Sequence, residues 1–194
     1  MNSDKLGREP DPDAELVKLI QDGSETAFAQ LIKKHQQGIY HFVRKMINDE
    51  HEAEDITQEI FVRVYRKINA FRFESKFTTW LYRVAYNVGL NYVKKLKTGK
   101  RIEDIEEISD EAIQQTAGML NELAKQEKYE MIKDCIDKLP AKAKTIVTLH
   151  LYKEMPFPEI AQITNMKEST VKRWWYEIAL PKLYNCLKSK GVER

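Results

Sequence analysis

Proline and glycine are scarce, at six and seven among 194 residues, and no proline falls between Pro12 and Pro140. That long interval excludes a turn-rich β architecture and favours long helices. Cysteine is nearly absent. Cys135 and Cys186 sit in no Cys-x-x-Cys pair and near no histidine, which predicts two reduced, half-buried thiols in a cytosolic protein. Apolar runs such as Ile60 to Val62 are far too short to span a bilayer, so no membrane insertion is expected. The opening Met1-Asn2-Ser3-Asp4-Lys5 lacks the apolar stretch of a secretory signal, in keeping with a cytoplasmic location. Catalytic signatures are missing as well. There is no glycine-rich phosphate loop, no His-Glu-x-x-His, and no serine or cysteine beside an obvious base. His35, His41, His51 and His150 are too dispersed for a metal site. The expectation is a protein that is no enzyme and carries neither metal nor cofactor.

What is present is charge in blocks. The net charge of +2 hides them, in a chain that is 42% hydrophobic and 32% charged. Phe71 to Arg101 holds eight basic residues and one acid; Ile102 to Glu130 holds nine acids and two lysines; Lys167 to Lys190 holds six basic residues and two acids. Two basic surfaces joined by an acidic connector suit an anionic ligand.

Apolar spacing divides the chain in the same places. A short helix carries Leu16, Leu19 and Ile20. After an N-cap at Ser24, the stripe Phe28, Leu31, Ile32, Ile39, Phe42, Val43, Met46 repeats at helical spacing, and further helices carry Ile56, Ile60, Val64, Ile68 and Leu81, Val84, Ala85, Val88. Periodicity returns with Tyr129, Ile132, Ile136 and Leu139 and stops at Pro140. The predicted architecture is all-α, with two small helical bundles, 13–97 and 126–190, joined by an acidic linker, 98–125.

Phe157 to Lys172 reads as a helix-turn-helix. Ala161 is small where two helices approach, and Asn165 tolerates the positive φ of the turn. Ile160, Ile163, Met166 and Val171 form the apolar contact, and Ser169, Thr170, Lys172 and Arg173 face a major groove. In the first bundle Arg83, Asn87, Asn91 and Lys94 share one helix face. Arginine and lysine suit phosphates, and asparagine suits base edges. Aromatics interleave with them, as a surface for an unstacked single strand requires. Trp80 is expected in the core, and Phe73, in a loop, is the stacking candidate. Glu54-Asp55-Ile56-Thr57-Gln58-Glu59 places carboxylates and an amide on one exposed helix face, which spacing alone does not distinguish from a solvated surface.

The order of these motifs resembles a bacterial RNA polymerase sigma factor of the extracytoplasmic-function (ECF) group, from about Asp13 to Leu187. The resemblance rests on His51-Glu52-Ala53-Glu54-Asp55-Ile56-Thr57-Gln58-Glu59-Ile60-Phe61, on Phe77-Thr78-Thr79-Trp80-Leu81-Tyr82-Arg83-Val84-Ala85-Tyr86-Asn87, and on Leu139-Pro140. It implies that Asp55 and Gln58, with Glu59, dock on the clamp helices of core RNA polymerase. It implies that the Phe71 to Phe77 loop, including Arg72 and Lys76, reads and opens the minus-ten element of promoter DNA with Asn87 and Asn91. The helix-turn-helix would read the minus-thirty-five element, and an anti-sigma protein is an implied partner. Two other classes stay open from residues alone: a stand-alone helix-turn-helix regulator binding duplex operator DNA, and a helical adaptor with an acidic segment.

One departure from the family pattern is local. Arg173-Trp174-Trp175-Tyr176-Glu177-Ile178-Ala179-Leu180-Pro181 fits only if one extra residue is allowed before Ala179. Val171, Trp175 and Ile178 fall on a core face, so Trp175 is expected to pack. Trp174 points about 100° away, toward either the same core or DNA. Pro181 is expected to kink or end the helix near Leu180.

Overall fold

The computed structural model describes residues 11–47, 49–96 and 126–191, and the expected acidic connector lies outside them. Among the described residues the regular structure is entirely helical. Helix α1 spans Ala14–Gln21, α2 Glu25–Ile47, α3 Glu50–Lys67 and α4 Phe77–Leu96. The Ser24 hydroxyl accepts the Ala27 amide at 3.3 Å, the expected cap of α2. Asp49 does the same for α3, accepting from the Glu52 amide at 3.1 Å. The apolar stripes meet as the spacing requires: Leu31, Ile39, Phe42 and Val43 of α2 are buried with Ile56, Ile60 and Val64 of α3 and Phe77, Leu81 and Ala85 of α4.

The second bundle comprises α5 (Gln126–Asp137), α6 (Ala141–Val147), α7 (Phe157–Thr164), α8 (Glu168–Arg173) and α9 (Leu180–Ser189). Asn165 ends α7 with φ 54° and ψ 39°, the left-handed turn expected of a helix-turn-helix. Of the kink or end expected near Leu180, an end does not occur: helical structure continues through Ala179 into Leu180–Ser189. Between α8 and α9 the chain passes through a π-helical turn, Trp174–Ala179. A π turn accommodates one residue more than an α turn, which is where the sequence carries its extra residue. Wider i to i+5 bonding also relieves the missing N–H and crowding ring of Pro181. Trp174 and Trp175 are both buried, so the face of Trp174 left open by spacing belongs to the core.

The two cysteines depart from expectation. Cys135 in α5 and Cys186 in α9 form a disulfide, with Cα atoms 5.7 Å apart, instead of two free thiols. Their separation of 51 residues hid a pairing that only the packing of α5 on α9 creates.

Asp13, at the N-cap of α1, fastens the first bundle. Asp13 is fully buried in α1's approach, where Lys34 donates to one carboxylate oxygen at 2.6 Å and the His35 ring meets the other at 3.0 Å. Burial raises the Asp13 pKa, but the hydrogen bonds and charges of His35 and Lys34 outweigh it and hold it below the ordinary 3.8. A carboxylate with a depressed folded pKa stabilises the fold fully above its unfolded value, and that contribution is lost as pH falls through the folded value. Asp13→Asn should therefore destabilise the protein by about 1–3 kcal/mol at neutral pH. The gap from wild type should close in acid, as read by urea unfolding across a pH series. A pH-independent gap would show that Asp13 does not act through its charge.

Candidate nucleic-acid interface

The loop between α3 and α4 is held at both ends by side chains distant in sequence. Gln21 of α1 donates from Nε2 to the carbonyls of Ile68, at 2.8 Å, and Phe71, at 3.0 Å. At the other end the Phe77 amide donates to Asp11 Oδ2 at 2.6 Å, so an acid 66 residues away caps α4. Beneath the loop Phe71, Phe77 and Trp80 form an aromatic cluster with ring centroids 5.5–5.9 Å apart. Phe77 is the buried centre of that cluster; Trp80, expected in the core, is only half-buried because it sits at its edge.

Phe73 stands on this platform, exposed, with its ring 5.0 Å from Phe71. Its φ of 57° is left-handed, a conformation costly for a bulky residue. The anchored loop thus spends strain to hold an aromatic ring at the surface. Arg72 beside it is exposed, and along α4 the residues Arg83, Asn87, Asn91 and Lys94 are all exposed on the face leading away from Phe73. Six of the seven residues assigned to this surface from the first bundle's loop and helix, all but Lys76, are therefore exposed. A stacking ring, phosphate-seeking cations and two amides in one file suit an unpaired strand.

Lys76 is placed differently. It is partly buried and pairs with Glu159 of α7 at 3.5 Å, while Thr79 of α4 donates to the same carboxylate at 3.0 Å. Sequence reading missed both Thr79 and Glu159.

In the second bundle Ser169, Lys172 and Arg173 are exposed and Thr170 is partly so. Lys172 pairs with Glu168 one turn earlier at 2.7 Å, a bridge that raises the lysine pKa. Val171 and Trp175 point inward, leaving Ser169, Thr170, Lys172 and Arg173 as the outer face of α8. His150 is structural: its Nδ1 lies 2.9 Å from the Met155 carbonyl, and its ring stacks on Phe157 and meets Trp175 edge-on.

On α3, Asp55, Gln58 and Glu59 are exposed, and Glu59 pairs with Arg63. Next to Gln58 lies a largely apolar groove of 730 Å³ between α2 and α3, lined by Phe28, Ile32, Phe61, Val62 and Tyr65. Val62 and Tyr65 are each about half exposed. Their signal was legible, since both are apolar residues off the Ile56, Ile60, Val64 stripe. Among the described residues no cluster of metal-binding side chains occurs, and no helix is long and apolar enough to cross a membrane.

Comparison with known proteins accounts for both bundles. Sigma-70 region 2 matches residues 31–98, and sigma-70 region 4 matches residues 129–176. The ECF RNA polymerase sigma factor SigW of Bacillus subtilis (strain 168) is 34% identical over 163 residues, 80% of this chain and 87% of that protein. The chain belongs to the ECF sigma factors. A second relative, the RNA polymerase sigma-H factor of Pseudomonas aeruginosa, is 30% identical over 82% of this chain and 86% of its own length. The fold is shared with CnrH, solved in complex with the cytosolic domain of CnrY, at a TM-score of 0.64 and 22% identity, covering 91% of this chain and 97% of CnrH. As a sigma factor the protein directs promoter-specific initiation by core RNA polymerase, and the stand-alone regulator is not favoured because both sigma regions are present.

Proposed function

We propose that each face built above does one part of initiation. The first bundle, 13–97, docks on polymerase through Asp55, Gln58 and Glu59. The adjoining groove of Phe28, Ile32, Val62 and Tyr65 receives apolar side chains of the clamp, because exposed apolar area of this size repays burial. The same bundle reads and opens the minus-ten element. Phe73 stacks on a base freed from the duplex, Asn87 and Asn91 contact base edges, and Arg72, Lys76, Arg83 and Lys94 hold the backbone. The segment 98–125 joins this bundle to the second, 126–190. There Ser169, Thr170, Lys172 and Arg173 read the minus-thirty-five element.

The observation that carries this reading is the left-handed, surface-held Phe73 at the head of the exposed Arg83, Asn87, Asn91, Lys94 file. In this reading the protein works in the cytoplasm, performs no catalysis of its own and needs no cofactor. An anti-sigma protein holds it inactive until a signal arrives, as CnrY accompanies CnrH in that solved complex.

The test is a transcription assay with purified core polymerase. Promoter-specific transcripts should require both components. Asp55→Ala combined with Gln58→Ala should weaken polymerase binding at least about tenfold, the usual effect of truncating central interface residues, with helicity intact. Wild-type affinity of this double variant in a fluorescence titration would remove the docking assignment.

A further inference from the structure

The loop that carries Phe73 is fastened at both ends by one helix. Helix α1 covers eight residues, Ala14–Gln21, a rise of about 12 Å at 1.5 Å per residue. At its C-terminal end the Gln21 side-chain amide donates to the carbonyls of Ile68 and Phe71, at 2.8 and 3.0 Å, and so spans the 3-10 turn Ile68–Ala70. Just ahead of its N-terminal end the Asp11 carboxylate bridges two backbone amides. Oδ1 accepts from Asp13 at 3.1 Å and Oδ2 from Phe77, the first residue of α4, at 2.6 Å. The helix is itself fixed in place. Val17 and Ile20 are buried, and Asp13 is bonded to Lys34 and His35 of α2. The His35 ring closes the circuit, lying 5.9 Å from the Phe77 ring. Sigma-70 region 2 matches only from residue 31, so α1 stands ahead of the matched residues.

Between the two anchors lie the five residues 72–76. Phe73 among them holds φ at 57°, a conformation that a bulky side chain leaves unless its surroundings over-determine it. Its ring contact with Phe71, at 5.0 Å, hangs on the backbone that Gln21 grips. A loop fixed before its ligand arrives loses little further freedom on binding, and its affinity is correspondingly higher. Where only a fraction of molecules holds the competent shape, the apparent affinity falls by that fraction.

We propose that α1 is a brace for the Phe73 loop, with Gln21 and Asp11 as positioning residues that preset the ring for capture of a base. Neither side chain touches DNA in this scheme; each acts through the backbone of Ile68, Phe71 or Phe77. The proposal rests on the reading of Phe73 as the stacking ring. Loss of the Gln21 bonds frees the first anchor of the loop, and the competent fraction falls about tenfold. Docking on polymerase is spared, because Asp55 and Gln58 lie on α3, outside the anchored loop.

The test uses holoenzyme assembled from the full chain and core polymerase. The probe is fluorescently labelled single-stranded DNA spanning the minus-ten element of a promoter that this holoenzyme transcribes. Gln21→Met, near-isosteric but without a donor, should bind the strand about tenfold more weakly, with wild-type affinity for polymerase. Asp11→Ala should do the same, and Asp11→Asn, which keeps an acceptor for the Phe77 amide, should restore binding. Phe73→Ala itself should weaken binding at least about tenfold. In that background Gln21→Met should cost nothing further, whereas a merely structural role would add its loss again. Circular dichroism checks folding; if Asp11→Ala misfolds, Gln21→Met decides. Wild-type strand binding by Gln21→Met overturns the brace, as does an equal loss in the Phe73→Ala background or a failure of Asp11→Asn to restore binding. If Phe73→Ala alone binds like wild type, the stacking reading falls and the brace falls with it, an outcome distinct from failure of the brace beside a weakened Phe73→Ala.

Discussion

Trp175→Ala should destabilise the second bundle by about 3–5 kcal/mol, the range for truncating a core tryptophan, while Arg173→Ala should leave its melting unchanged. The contrast follows from two neighbours on one helix. Trp175 is 6% exposed, meets the His150 ring edge-on at 4.5 Å and lies 6.0 Å from Phe157, so its removal opens a cavity beside those two rings. It also sits in the π turn, where wider backbone geometry leans on packing to persist. Arg173 ends α8 on the outer face and is exposed. In the proposed reading a side chain there contacts DNA, and its loss should cost about 1–3 kcal/mol of binding, roughly tenfold in use of a promoter that depends on the upstream element. Promoters lacking that element should respond little. Thermal melts paired with transcription from both promoter types read the division directly. A wild-type melt for Trp175→Ala, or normal use of both promoters by Arg173→Ala, would show that core and DNA face have been confused.

The residues that were legible in the sequence are those whose role is local. Ser24 caps α2 because a hydroxyl before an apolar stripe has few other uses, and Asn165 adopts the left-handed turn because few other residues do so cheaply. The exposed file of Arg83, Asn87, Asn91 and Lys94 follows from helical periodicity once α4 is set. Even the π turn left its trace, as one residue too many before Ala179. What stayed hidden depends on distant partners. Trp80 proved half-buried because Phe77 took the centre of the aromatic cluster. Asp11 caps α4 from 66 residues away, and Glu159 lies 80 residues from Thr79; no period or spacing encodes either contact. The apolar groove beside Gln58 was written in Val62 and Tyr65, but as two exceptions to a stripe that otherwise explained α3.

The disulfide is the hidden partner with the largest expected effect. Cys135 and Cys186 close a loop of 51 residues, and the cross-link acts mainly by restricting the unfolded chain. For that length the chain-entropy relation gives about 4 kcal/mol. The loop contains α6 to α8 and the π turns Thr148–Tyr152 and Trp174–Ala179, nearly the whole second bundle, so the effect should fall on that bundle and spare the first. The bond is also reachable: Cys135 is 1% exposed, but Cys186 is only partly buried, so a reductant attacks from the α9 side. Reduction, or Cys135→Ser, should therefore lower the stability of the second bundle by about 4 kcal/mol with little change in the first. The aromatic circular dichroism signal of Trp174 and Trp175 reports the second bundle, and thiol titration of denatured protein reports the oxidation state. Because thiols are kept reduced in most cytosolic proteins, the reduced form must be melted alongside the oxidised one. Lys190 at the C-cap of α9 pairs with Asp134 of α5 at 2.8 Å, a link between the two helices that does not need the bond, so the reduced bundle should still fold. Coincident melts of the oxidised and reduced forms would show that this ion pair and the surrounding core, rather than the cross-link, set the stability of this bundle.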